Sequence, residues 1–135
     1  MEDEIVCGAE RTPAHTIKEN VWRDRLRRAL EKNGYTVEVE KRVVNGRVDL
    51  FLPNHAIEID WSFKWAEGVG QALYYAARLK AKAVALLLVE SDAGGSHVQN
   101  ALTVSSSIED RLSVWVLDTR TEILHMGHGR TIQVE

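Results

Sequence analysis

Apolar positions recur at helical spacing between Thr16 and Asn33, where Val21, Trp22, Leu26, Ala29 and Leu30 fall on one stripe. The spacing predicts a helix there, with His15 or Thr16 at its start and Gly34 just past its end. From Tyr35 to Val44 the period changes to two: Tyr35, Val37 and Val39 alternate with polar neighbours, which predicts a strand. Asn45-Gly46 reads as a two-residue hairpin turn and Arg47 to Leu52 as the returning strand. Pro53-Asn54-His55 makes a second turn, and Ala56 to Trp61 a third strand.

Helical spacing returns from Phe63 to Leu79, with Ala66, Val69, Gly70, Leu73, Tyr74 and Ala77 as the expected packing stripe. Its many small residues, Gly68 and Ala72 among them, allow close approach to a sheet. Ala83 to Glu90 is a nearly continuous apolar run, as expected of a central strand buried on both faces. Ser91 to Ser96 reads as a glycine-bearing loop, His97 to Arg111 as a helix of weaker periodicity, and Ser113 to Leu117 as a further strand. Glu122 to Val134 is compatible with a terminal strand or an irregular tail. This alternation predicts an α/β fold with a mixed sheet.

The chain has 135 residues and no repeat or linker, so one domain over 1–135 is expected. An apolar content of 44% with 27% charged residues excludes a disordered chain. The longest apolar run is strand-length, which argues against a membrane span. Glu2, Asp3, Glu4 and Glu10 are wrong for a secretory leader, so a cytoplasmic location is expected. Cys7 stands alone and permits no internal disulfide or thiolate cluster.

Charge changes the picture through its distribution. The net charge is −3, yet Arg23, Arg25, Arg27, Arg28 and Lys32 crowd the first helix, and Lys41, Arg42 and Arg47 the first hairpin. A basic face beside an acidic pocket suits a protein that handles nucleic acid with a metal ion. The alternative is that the arginines only solvate an amphipathic helix. The acidic pocket comes from Asp49 on one strand and Glu58 and Asp60 on the next. Alternation sends Glu58 and Asp60 to one face, with Ile57, Ile59 and Trp61 on the other. Carboxylates gathered on an interior strand are costly without a cation or hydrogen-bond partners. A hard divalent ion prefers such oxygen ligands.

Lys64, Glu67 and Gln71 follow at helical spacings of three and four, on one face. Lys64 is placed to stabilise a phosphate or position a water, Gln71 to orient a water or touch a DNA backbone, and Glu67 to pair with Lys64. No phosphate-cradling loop or serine or cysteine nucleophile is apparent, and His97, His125 and His128 share no ligand spacing with an acid.

From the helix near Glu19 to Glu90, the chain resembles the PD-(D/E)XK nuclease superfamily, most nearly short phage and bacterial members akin to Holliday-junction resolvases and VRR-type nucleases. Asp49 matches the family's first acid, Glu58 the second, Gln71 in GQALYY the helix glutamine, and Glu19 the extra acid of many members. The motif lysine is missing: Asp60 fills its place in Glu58-Ile59-Asp60, and Lys64 is the candidate for a lysine migrated to the next helix. The resemblance implies a restriction-endonuclease-like αβββαβ core, its mixed sheet flanked by helices. It implies a Mg2+- or Mn2+-dependent endonuclease hydrolysing DNA phosphodiester bonds. Asp49, Glu58, Lys64 and Gln71 would be catalytic. Glu19, Asp49, Glu58, the Ile59 carbonyl and Asp60 are candidate ligands, Asp60 having the alternative of a hydrogen-bonded acid without metal contact. Arg23, Arg27, Lys41 and Arg47 would contact DNA. A homodimer follows by the same analogy, with Trp115 or the terminal strand as contact surface. The alternative reading is a catalytically degenerate module that binds nucleic acid or a protein partner.

Overall fold

The computed structural model describes residues 19–90 and 95–134. Cys7, His15, Thr16 and the start expected for the first helix lie outside them, as does most of the loop expected at Ser91 to Ser96. The chain runs α1 (Glu19–Lys32), β1 (Glu38–Val43), β2 (Gly46–Leu52), β3 (His55–Trp61), α2 (Trp65–Leu79), β4 (Lys82–Val89), α3 (Ser96–Ser107), β5 (Leu112–Asp118), β6 (Ile123–Gly127) and β7 (Arg130–Gln133). A 3-10 turn, Ser62–Lys64, leads into α2, and another, Glu109–Arg111, into β5. The fold is mixed α/β.

Among the described residues the strands form one seven-stranded sheet in sequential order, β1 to β7. The β1–β2–β3 meander is antiparallel, β3, β4 and β5 are mutually parallel, and β6 and β7 return antiparallel. Each parallel connection is made by a helix, α2 or α3, as parallel neighbours require. β4 sits at the centre with Ala83 to Val89 buried throughout, as its unbroken apolar run predicts.

Two cores follow from strand alternation. Trp22, Leu26, Ala29 and Leu30 of α1 pack with Leu50, Ile57, Ile59, Trp61, Leu86 and Leu88 on one face. Val69, Ala72, Tyr75 and Ala76 of α2 pack with Ala56, Ala85, Leu87 and Val89 on the other, where α3 adds Val98 and Ala101.

Several expectations are corrected. Val21 is exposed at the edge of the α1 stripe. The α2 stripe is Gly68, Val69, Ala72, Tyr75 and Ala76. Ala66, Gly70, Tyr74 and Ala77 face outward, because the helix rolls to set Gly68 against β3. The first hairpin turns at Val44-Asn45, with Asn45 at φ +65 and Gly46 already opposite Val43 in the ladder. Gly46 is instead required by Tyr75: a Cβ there would stand 2.6 Å from the Tyr75 hydroxyl. The Glu122 to Val134 stretch forms the β6–β7 hairpin, turned by His128 and Gly129, both at positive φ.

Candidate active site

The site is built where the meander breaks. β2 pairs with β3 through Leu50↔Ile57, Phe51↔Ala56 and Leu52↔His55, and the ladder goes no further. Beyond it the Asp49 carboxylate accepts the Ile59 N–H at 2.8 Å, a side chain standing where a strand carbonyl would otherwise serve. On the other side, Glu40 and Asp49 fall in the gap between the Val39↔Leu50 and Lys41↔Val48 pairs. Glu40 has φ +52, a left-handed backbone rare for a glutamate. Strict alternation would put Val48, Leu50 and Leu52 on one face. Instead Leu50 and Leu52 join the α1 core and Val48 the α2 core. The ribbon thus turns over at Glu40 and Asp49, and this brings the Asp49 carboxyl to β3.

Glu58 and Asp60 lie on the α2 face of β3, as alternation predicts, since Ile57, Ile59 and Trp61 pack into the opposite core. Both acids are buried, and Glu58 Oε1 and Asp60 Oδ2 have no hydrogen-bond partner. α2 reaches Asp60 through Gly68, whose Cβ, if present, would lie 2.9 Å from Asp60 Oδ2. Burial, then the Asp49 and Asp60 charges, push the Glu58 carboxyl up to about 9. It keeps its proton near neutrality and donates it in a hydrogen bond to Asp49. Burial also raises Asp49, against the lowering effect of the Ile59 amide. Asp60 is raised to about 7 by burial, then by Glu19 and Asp49, with Lys64 opposing.

Glu19 opens α1, and its charge acts on Asp49, Glu58 and Asp60. With Asn20, Arg23, Asp49 and Ile59 it lines a cavity of about 200 Å³. Lys64 lies in the 3-10 turn rather than in α2 itself. It is exposed and close enough to Asp60 to favour its ionised form. Among the described residues the expected Lys64–Glu67 ion pair does not form, and the Lys64 charge acts on Asp60 from a distance. Gln71 is exposed, one turn from Gly68 and one from Tyr75.

Sequence reasoning did not assign Glu40, Gly46, Gly68 or Tyr75 to this site. Tyr75 packs on Gly46, and its hydroxyl accepts a hydrogen bond from the Arg47 amide. Burial and the neighbouring Glu58 and Asp49 charges raise its pKa, so it stays a neutral phenol. The neighbouring Tyr74 hydroxyl donates to the Val44 carbonyl at 2.8 Å, so the pair clasps the first hairpin.

Each expected DNA-contacting cation has an acidic neighbour. Arg23 meets Glu40 at 2.6 Å and Asp24 at 3.3 Å, Arg27 meets Glu31 at 3.1 Å, Lys41 meets Glu38 at 3.5 Å, and Arg47 meets Glu40 at 3.7 Å. Trp115 is buried and cannot serve as a contact surface between copies, whereas β7 is an edge strand of the sheet.

No family model, curated protein or solved structure matches this chain. The chemistry therefore rests on the site itself. Among the described residues, no three histidine, cysteine, aspartate or glutamate side chains converge as a ready metal cage. The donor chemistry nonetheless fits a hard cation. Asp49 and Glu58 carboxyls touch across the strand break, and two carboxylate oxygens are buried without partners. A cavity of about 610 Å³ lies at the other end of the parallel strands, beside His55, Lys82 and Trp115, and none of these acids lines it. No helix among the described residues is long and apolar enough to cross a membrane.

Proposed function

We propose that this protein is a divalent-metal-dependent endonuclease that hydrolyses DNA phosphodiester bonds. One observation carries the reading: a strand break brings Asp49 against Glu58, and next to Asp60, with buried oxygens unpartnered and a lysine alongside. Raised carboxyl pKa values with specific charged neighbours mark functional sites. The restriction-endonuclease-like core is part of the same proposal. It is supported by the order of α1, an antiparallel three-strand meander, α2 and a parallel β4.

Asp49 and Glu58 would hold Mg2+ or Mn2+, with the Ile59 carbonyl, Asp60 and Glu19 as further donors. A cation so held would polarise the phosphate and make a bound water more acidic. The chain's own residues do the rest. Asp49, pinned by the Ile59 amide, holds a fixed oxygen toward Glu58. Glu58 must release its proton for both carboxylates to bind a cation, so occupancy rises with pH. Lys64 is exposed, and its charge reaches Asp60; its ammonium would stabilise charge developing on the phosphoryl oxygens. Gln71, exposed on α2, would offer its side-chain amide to a water or a DNA phosphate.

Purified protein with Mg2+ or Mn2+ should cut one of a panel of branched, nicked, linear and single-stranded DNAs. Asp49→Ala and Glu58→Ala should end the cutting while circular dichroism stays unchanged. Absence of cutting on every substrate overturns the proposal. A specific observation favours a second reading: Asp60 occupies the motif lysine's place and Lys64 makes no direct ion pair among the described residues. On that reading the chain binds nucleic acid or a partner without cleaving, and metal ions bring no stabilisation that depends on Asp49 or Glu58.

A further inference from the structure

Glu40 is unusual in three respects. Its backbone is left-handed without being glycine, it lies across the ribbon from Asp49, and it is embraced by arginines from two elements. Arg23 reaches it from α1 at 2.6 Å, and Arg47 from β2 at 3.7 Å. Arg23 also lines the small cavity shared with Asp49 and Glu19. A glutamate between two guanidiniums presents to them a pair of accepting oxygens, as a phosphodiester does with its two non-bridging oxygens.

We infer that Arg23 and Arg47 form a phosphate subsite one strand from the carboxylates, and that Glu40 occupies it until DNA displaces it. The inference rests on the endonuclease reading and extends it to a named contact and a built-in competitor. The occupant is displaceable because its side chain is 45% exposed, as is 58% of Arg47. The Arg23 fork stays in place when it leaves: Arg23 is only 17% exposed and is also held by Asp24. The strained backbone at Glu40 serves the same end, because it turns this side chain toward the arginines where the ribbon changes face. Arg27–Glu31 and Lys41–Glu38 are different in kind, each a one-to-one pair between near neighbours in sequence.

The test is binding of a dye-labelled DNA duplex in EDTA, read by anisotropy at fixed salt, for wild type, E40Q, E38Q, R47Q and E40Q/R47Q. Thermal melts verify that each variant is folded. Glu40→Gln keeps the side chain's size and removes the competing charge, so it should bind about fivefold tighter, the scale of one half-exposed ion pair. Glu38→Gln makes the same charge change away from the subsite and should bind less than twofold tighter. Arg47→Gln should weaken binding, and in the double variant the gain from Glu40→Gln should vanish. The inference is overturned if E40Q binds no better than wild type, which would make Glu40 a residue that positions the arginines. It is equally overturned if E38Q matches E40Q, or if the gain survives loss of Arg47. Cutting of DNA by wild type with Mn2+ separates the two failures: a chain that cuts but shows no E40Q gain keeps the function and loses the subsite, and one that neither binds nor cuts loses both.

Discussion

Glu58→Gln should flatten the pH dependence of stability. In the folded chain Glu58 holds its proton up to about 9, whereas its ordinary value is 4.5. Over the interval between, the folded state binds one more proton than the unfolded state, so stability falls as pH rises. Each pH unit of that interval costs about 1.4 kcal/mol per retained proton. From about pH 5 to about pH 7, Glu58 alone removes about 3 kcal/mol, a large share of a small domain's stability. Glutamine has no proton to lose, and its amide can still donate to Asp49. Glu58 is neutral across this interval, so the exchange leaves the fields at Asp49 and Asp60 nearly unaltered. Asp60, raised to about 7, contributes the same downward slope in both proteins. Urea unfolding in EDTA at constant ionic strength, repeated across the interval, should give a slope against pH shallower in the variant by about 1.4 kcal/mol per unit. Parallel lines for wild type and variant would refute the reasoning, because they would mean that Glu58 ionises normally in the folded chain.

Other expectations follow from the packing and the rim. Gly68→Ala drives a methyl toward Asp60 Oδ2 and should cost about 1–3 kcal/mol in urea unfolding, with a wild-type midpoint counting against the close approach. Tyr75→Phe strips the Arg47 amide of its acceptor, so that amide should exchange with solvent faster and stability should fall by about 1 kcal/mol. Lys64→Ala should leave stability within about 0.5 kcal/mol of wild type while slowing DNA cleavage by about 10²–10³-fold; cleavage at the wild-type rate would remove Lys64 from the chemistry.

Much of the fold could be read from the chain because burial imposes a period. The unbroken Ala83 to Val89 run could only be a strand covered on both faces, and it lies at the centre of the sheet. Alternation at Ile57, Ile59 and Trp61 correctly sent Glu58 and Asp60 to the other side. The reversal of facing at Glu40 and Asp49 was not legible, because neither residue carries a glycine or proline signal and the flanking valines suit either face. The roll of α2 was missed for a related reason. Alanine and glycine are spread around the helix, so hydrophobicity could not say which small residue meets the sheet, and the choice of Gly68 depends on Asp60, a contact that lies across the fold. The final hairpin hid behind His128 and its flanking glycines, whose positive φ angles make a tight turn. At the site, the sequence named the acids, but it showed neither the raised pKa of Glu58 nor the pairing of Arg23 and Arg47 with Glu40.

The endonuclease proposal requires Asp49 and Glu58 together to hold a divalent cation used to cut DNA. The most direct measurement is Mn2+ titration of wild type and Asp49→Asn, followed by calorimetry, with cleavage of a branched and a linear duplex assayed on the same samples. Wild type should bind Mn2+ more tightly as pH rises from about 6 to about 8, as expected when the ion must displace the Glu58 proton. Wild type should also cut DNA, and Asp49→Asn should lose both properties. Equal Mn2+ binding by the two proteins, or wild-type binding with no cut strand on any substrate, would contradict the proposal.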